Sequence, residues 1–340
     1  MEVVHHLNPY TSTPIVEPHN DPSFDLSNWH HLLSPYGPTF TLITFAIVPL
    51  GVAASFWAIK LLLMLASLGT IWLVWKCARL LGREPVQAIV FVGLNPVVLV
   101  WGLGGDHNDF IMMFLIVLGF YLLLRGRESE SSLAWDVGAG AAFVAAATVK
   151  ASGVVLLPIV LAGLIYSPRR LLQSAAGMIA AGALLAAASV MAFGLHLPDL
   201  STQSRLVTTL SPSNLLGLAL GSGGATATLL HLLSGVLAAS VLAACVMAWR
   251  KRDSLTPAGW ASVALLLTLS WVLPWYVLWV LPMAALSRSR ALRTTALVFG
   301  VFFVLAWAPL ANSTLSSLGF HPERTALGKL HQRYVKELLN

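Results

Sequence analysis

Apolar residues in this chain come in long, nearly unbroken stretches, not at the three-and-four spacing of an amphipathic helix. Leu, Ala, Val and Ile fill them, with Gly and Ser interspersed. Several stretches reach the roughly 20 residues needed to cross about 30 Å of hydrocarbon. Short polar turns separate them. Counting outward from those turns predicts about ten membrane-crossing helices, near 53–75, 86–103, 109–124, 134–149, 151–166, 171–194, 226–249, 258–273, 275–287 and 291–311. The 275–287 segment is bracketed by Pro274 and Pro282, so a tilted or broken helix is expected there. A transmembrane β-barrel would need short segments of alternating hydrophobicity, and the chain has none. The expected fold class is all-α. It is a polytopic transmembrane helical bundle over 39–311, with an ordered external N-terminal loop at 1–38, an external loop at 195–225 and a basic C-terminal tail at 312–340.

Composition sharpens this picture. Of 340 residues, 57% are hydrophobic and 10% charged, against about 25% charged in a soluble domain. The formal charge of +6 does not point to nucleic acid, because most cations sit in short clusters between apolar runs. These are Lys76, Arg79 and Arg83; Arg125 and Arg127; Arg169 and Arg170; Arg250, Lys251 and Arg252; and Arg288, Arg290 and Arg293. Short basic loops mark the cytoplasmic side. Cys77 and Cys245 lie beside two of these clusters and read as small packing residues, not as a disulfide framework.

The N-terminal segment has the opposite character. Residues 1–59 contain no Lys or Arg, while Glu2, Glu17, Asp21 and Asp25 are acidic, which places the segment outside. It shows no basic and apolar run of the kind that makes a signal peptide, so an upstream helix carrying it across is expected. The C-terminal tail poses a conflict. Arg324, Lys329, Arg333 and Lys336 argue for the cytoplasm, whereas the span count puts the tail outside.

Candidate chemistry collects on the outer side. Gly104-Gly105-Asp106-His107-Asn108-Asp109 lies between two spans, and its carboxylates and imidazole suit general base work, metal binding or hydroxyl recognition. Helix capping by Asn108 or Asp109 is the plainer alternative. Lys150, between two apolar stretches, either snorkels to the headgroups or binds a phosphate as a compact charge. Arg205 is another of the few cations on that side. Lys60, deeper in a span, reads as snorkelling. Trp271, Trp275, Tyr276 and Trp279 form an aromatic cluster suited to interfacial anchoring or to sugar stacking. Residues 8–38 are dense in Pro, Tyr, Trp and His, as an ordered loop on the membrane surface would be. No P-loop, Gly-rich dinucleotide turn or metal-type Cys/His spacing occurs.

Asn8-Pro9-Tyr10, Trp29 and Ser34-Pro35-Tyr36-Gly37-Pro38 together resemble the first large external loop of C-type glycosyltransferases. The nearest branch is the polyprenol-phosphomannose-dependent α-1,6-mannosyltransferases. Asn95-Pro96, Gly105 and His107-Asn108-Asp109 opening a helix are similar to a second motif of that branch. Lys150 before Leu156-Leu157-Pro158, and Pro274-Trp275-Tyr276, look like later landmarks. The resemblance covers essentially the whole chain in order.

It implies a multi-pass plasma-membrane (inner-membrane) enzyme with an extracytoplasmic active face. Such an enzyme transfers a sugar, mannose by resemblance, from a polyprenyl-phosphate donor to a glycan or glycolipid acceptor. No cofactor beyond that donor substrate is called for, and a divalent metal is left open. The partners expected are membrane lipid, the lipid-linked donor and the acceptor, with no nucleic acid. On this reading Asp106 or Asp109 orients the acceptor or assists as base, and His107 and Asn108 bind sugar or phosphate. Lys150 and Arg205 hold the donor phosphate, and Tyr36, Trp275 and Tyr276 add substrate contacts. The resemblance implies that the superfamily's usual base follows a first transmembrane helix expected upstream of residue 1, with Asp21, Asp25, Asp106 and Asp109 as the acidic candidates within this sequence. A secondary transporter would instead carry midplane charges and an internal repeat. A catalytically silent homologue that only packs in the membrane is the third reading.

Overall fold

The computed structural model describes residues 2–339. Among them there is no strand, and eight helices run for 14 residues or more. These are α1 (Val52–Leu80), α2 (Asp109–Glu128), α3 (Leu133–Val149), α4 (Pro168–Phe193), α5 (Ala227–Lys251), α6 (Leu255–Thr268), α7 (Arg290–Ala306) and α8 (Ala326–Leu339). All ten apolar segments expected from the sequence are largely helical. Four of the helices, α1, α2, α4 and α5, are individually long and apolar enough to cross a membrane. A fifth span is possible if α7 is joined to Ala311–Ser317 across a 78° bend.

The shorter segments are short for identifiable reasons. The 86–103 segment breaks at Asn95-Pro96. Pro96 has no N–H to continue the ladder, Asn95 Oδ1 takes the Val97 N–H at 3.0 Å, and the chain resumes as a π-turn over Val98–Gly102. The 275–287 segment divides into a 3₁₀ stretch, Pro274–Trp279, and a single helical turn and a half, Leu281–Leu286, as its prolines suggest. Lys150 separates α3 from the Ala151–Leu164 helix in an extended conformation.

α3 packs between α2 and α4, α2 also against α1, and α5 against α6 and the Leu156–Leu164 helix. The α3–α4 crossing depends on two glycines. A Cβ at Gly140 would meet the Ser174 carbonyl oxygen at 2.0 Å, and one at Gly177 would meet that of Val137 at 2.0 Å. Small residues at such crossings let backbones approach where lipid offers no hydrophobic drive to associate. The core between α1, α2 and α3 is filled by Leu73, Phe110, Met113 and Phe143, and Cys77 is fully buried there as a packing residue. The outer helices behave differently. Only 22% of the apolar window of α4 and 11% of that of α5 is buried inside the protein, so their remaining surface suits lipid.

The two ends of the bundle differ in chemistry. At one end the basic turns meet: Arg83 Nε donates to Leu286 O, Arg293 to Ser287 O, and the Arg252 guanidinium lies 4.4 Å over Tyr166. At the other end lie the N-terminal loop, residues 195–225 and the tail. Trp29 meets Trp271 edge to face at 5.9 Å, and Tyr10 meets Phe193 likewise at 5.5 Å. His31 N donates to Leu338 O at 3.0 Å, and Tyr334 Oη donates to Thr202 O at 3.1 Å. The tail therefore sits on the loop face, as the span count expects and its cations do not. Its helix α8 is amphipathic. Tyr334, Val335 and Leu338 dock with Leu32 and Leu206, and that burial outweighs the charge preference of a short basic segment.

Candidate functional site

The backbone carbonyl of Val149 is where three distant segments converge. It accepts from Gly37 N at 3.2 Å and from Asn108 Nδ2 at 3.3 Å. The external loop, the start of α2 and the end of α3 are thereby drawn together. Gly37 is needed there because any Cβ would lie 2.1 Å from Thr148 O. Its neighbour Tyr36 is held through its carbonyl, which accepts from Tyr10 Oη at 3.1 Å, while its ring meets Phe40 edge to face. Asn108 occupies the N-cap position of α2 but makes no side-chain cap. The capping alternative is thus corrected: the Asn108 amide is committed to tertiary contact, and the Asp109 carboxylate to Lys150 and Trp279.

Asp109 is 1% exposed. Lys150 Nζ donates to both of its oxygens at 2.9 Å, and Trp279 Nε1 donates to Oδ1 at 2.6 Å. A buried carboxylate needs such partners, since leaving water costs several kcal/mol per ion. The Lys150 ammonium also sits 4.3 Å from the centroid of the Tyr276 ring and 5.2 Å from that of Trp279, as cation–π contacts do. Tyr276 and Trp279 stack at 4.2 Å and are 5% and 4% exposed. These two aromatics are buried walls of the site, not interfacial anchors. Lys150 does not snorkel; its side chain turns inward to a fixed partner.

His107 stacks on Trp275 at 3.5 Å with 11° between the planes. Burial pulls its pKa below the ordinary value, and nearby Asp109 offsets this only in part, so the ring is neutral near pH 7. Gly105 makes room for it, since a Cβ there would fall 2.2 Å from His107 Nε2. Asp106 faces elsewhere. Lys60 Nζ donates to the carbonyls of Gly104 and Gly105 at 3.0 and 3.2 Å and lies 3.4 Å from Asp106 Oδ1. Lys60 is thus a fastener of the 104–106 turn, which corrects its reading as a snorkelling residue. The Asp106 side chain is 27% exposed against 2% for Asp109, although its Oδ1, on the Lys60 side, is buried and makes no hydrogen bond among the described residues.

Seven of the expected residues, Tyr36, His107, Asn108, Asp109, Lys150, Trp275 and Tyr276, thus gather at one end of the bundle, with Asp106 on the adjacent turn. Arg205 does not join them. It is exposed, at the end of the short Leu200–Ser204 helix, and makes no hydrogen bond or ion pair with the cluster; the following residue, Leu206, buries itself against Leu338 instead. Trp279, grouped in the sequence only with the aromatic cluster, and Gly37, present there only as part of the loop motif, also position the site. No group of three or more His, Cys, Asp or Glu side chains placed to hold a metal occurs among the described residues.

Residues 2–166 match the family model described as alpha-(1->6)-mannopyranosyltransferase, N-terminal domain, and residues 208–328 match that of the MptB C-terminal domain. Similar proteins include alpha-(1->6)-mannopyranosyltransferase A of Mycobacterium tuberculosis, 30% identical over 325 residues, covering 87% of this chain and 60% of that protein. A second alpha-(1->6)-mannopyranosyltransferase of that organism is 27% identical over 353 residues, covering 84% and 59%. A probable one from Mycolicibacterium smegmatis is 26% identical over 357 residues, covering 90% and 63%. The chain spans about three fifths of the length of these curated relatives. No solved structure matches it.

Proposed function

Since this chain belongs to the alpha-(1->6)-mannopyranosyltransferase family, we propose that it transfers mannose from a polyprenyl-phosphate donor to a glycan or glycolipid acceptor at its loop face, and that this face is extracytoplasmic. The observation that carries the reading is Lys150, a cation fixed by Asp109 among aromatic rings at the end of an apolar bundle. A lipid phosphate arriving from the bilayer would meet that cation as its apolar tail stays between helices. Two N–H groups of Lys150 serve Asp109 and the ammonium also hydrogen-bonds the Tyr276 side chain, so an arriving phosphate oxygen would take its N–H in exchange for Tyr276. His107, neutral and stacked on Trp275, offers a ring nitrogen to a hydroxyl. Charge matched this way strengthens as phosphate leaves.

Asp109, saturated by three donors and shut from solvent, is a poor proton acceptor. Its part is to hold Lys150. Asp106 takes the base or acceptor-orienting role, because its side chain is the more exposed of the two and its Oδ1 has no hydrogen-bond partner among the described residues. The test is transfer of labelled mannose from a polyprenyl-phosphate donor to an α-1,6-mannoside by the full chain in lipid nanodiscs. Asp106→Asn is expected to lower transfer about a hundredfold or more with an unchanged melting temperature. A folded wild-type chain that leaves the donor intact discards the reading.

A further inference from the structure

A cavity of about 410 Å³ opens on the loop face, away from the Lys150 cluster. Its size falls within the roughly 300–1,000 Å³ of small-ligand sites. Its existence follows from two features of the chain. After α7 the backbone turns through 78° into Ala311–Ser317, and α8 then crosses over the gap. α8 is pinned at both ends: Thr325 Oγ1 donates to Gly223 O at 2.7 Å just before it, and Leu338 packs with Leu32 and Leu206 near its end. Between the pins it roofs a space walled by the 207–210 segment, Trp271 and Trp307.

The lining divides into two sets of polar groups. Thr208 and Asn214 are committed to the wall itself: Thr208 Oγ1 donates to Val272 O and accepts from Val272 N, and Asn214 bridges Thr209 O and Ala225 N. The side chains of Asn312, His331 and Gln332 line the same space and make no hydrogen bond to any described residue. Burial holds the His331 pKa below its ordinary value, so near pH 7 its ring is uncharged. The lining therefore combines two tryptophans with uncommitted neutral amides and an imidazole. Its formal charges, Glu323 and Lys336, cancel.

We propose that this cavity binds a neutral oligosaccharide, and so serves as the acceptor-glycan site of the transferase; it rests on the transferase reading only in this last step. Indole faces stack on the apolar faces of pyranose rings, and amides and imidazole match hydroxyls one to one. A phosphate would want an excess of cations, which the balanced walls do not offer. An isoprenoid chain would want the lipid-facing helices, whereas the roof is the docked tail.

The cavity is also joined to the Lys150 cluster by a single run of chain. Trp271 lines it, and four residues on Trp275 stacks on His107. Four residues span at most about 15 Å, so an oligosaccharide held at Trp271 can extend its end toward that cluster.

The test is direct binding, so it does not depend on turnover. α-1,6-Mannotetraose is titrated into the full chain in nanodiscs and followed by tryptophan fluorescence and ligand-observed NMR. Donor consumption is measured in parallel. Binding is expected to weaken about tenfold in Trp307→Ala, and to weaken less but measurably in Gln332→Ala. Both changes are at exposed positions, so the fold survives them. Absent binding, or binding equal in wild type and both variants, overturns the proposal. So does displacement of the tetraose by millimolar inorganic phosphate, which would make the cavity an anion site. Binding that the variants weaken, in a chain that never consumes donor, supports the cavity and overturns the transferase reading.

Discussion

Asp109 and Asp136 are each buried against a cation, at opposite ends of this bundle. At the basic end Asp136, 0% exposed, receives the Arg170 guanidinium through Nε and Nη2, with Nη2 2.6 Å from Oδ1. Arg170 Nη2 also donates to Leu123 O at 2.7 Å, tying α4 to α2 and α3. At the loop end Asp109 holds Lys150. The difference lies in what surrounds each cation. Arg170 is forked onto a carboxylate and a carbonyl, a geometry that bidentate guanidinium suits and that leaves it little else to do. Lys150 is a point charge whose partners beyond Asp109 are the side chains of Tyr276 and Trp279. The first pair fastens helices; the second presents a cation.

The largest effects test that contrast. Removing one partner of either pair, by Asp109→Leu or Asp136→Leu, leaves a buried charge alone and is expected to cost about 3–5 kcal/mol. Replacing both partners is the informative step. Asp136→Leu with Arg170→Met should recover most of the lost stability and keep transfer within a few-fold of wild type. Asp109→Leu with Lys150→Met should also recover stability, yet abolish transfer. Melting in nanodiscs and mannose transfer read the two quantities separately. If the Asp109/Lys150 double variant still transfers, that pair is a fastener like the other.

Gly37→Ala comes next. The new methyl would lie 2.1 Å from Thr148 O, so backbone must shift at an expected cost of about 1–3 kcal/mol. The same change at Gly138, whose nearest neighbour is a flexible Leu122 methyl at 3.4 Å, should be nearly neutral in melting. Equal melting of the two variants would show that the loop does not depend on the Gly37 approach.

The motifs around Asp109 and the helical architecture were legible because apolar runs and polar punctuation are local in sequence. What those residues do to one another was not. Lys150 and Asp109 are 41 residues apart and Trp279 and Asp109 are 170 apart, so no spacing rule reports that the cation is already paired. The Asp136–Arg170 pair left one usable sign: a lone Asp in an apolar run requires a partner. Arg170 was hidden among the basic turns that mark topology. Lys60 was legible as a cation in a span, but its partners are carbonyls of a distant turn.

Trp279→Phe keeps the ring and removes the N–H that donates to Asp109 Oδ1. A hydrogen bond to a charged group is worth about 1.5–3 kcal/mol, so a stability loss near the lower end is expected, with Lys150 still paired. Transfer should fall through donor KM more than through kcat, since the change loosens the cation's holder and not the acceptor carboxylate. An unchanged KM with a reduced kcat would move Asp109 from holding Lys150 to the reacting atoms.

The smallest effect separates the His107–Trp275 stack from the ion pairs. Burial lowers the His107 pKa in the folded chain, while the unfolded ring titrates near about 6.5. As pH falls below that value the unfolded state takes the proton first, so stability declines until the folded ring is also protonated. Above about 6.5 the term is fully present and pH-independent. Melting compared at pH 7 and pH 5 should therefore show a drop in the wild type that is smaller in His107→Gln, because glutamine does not titrate. Both ion pairs remain in the two proteins, so their contribution cancels in the difference. An equal drop in wild type and variant would mean that the ring is protonated without penalty, and that His107 can meet a substrate as a cation where the stack on Trp275 presents it as a neutral acceptor.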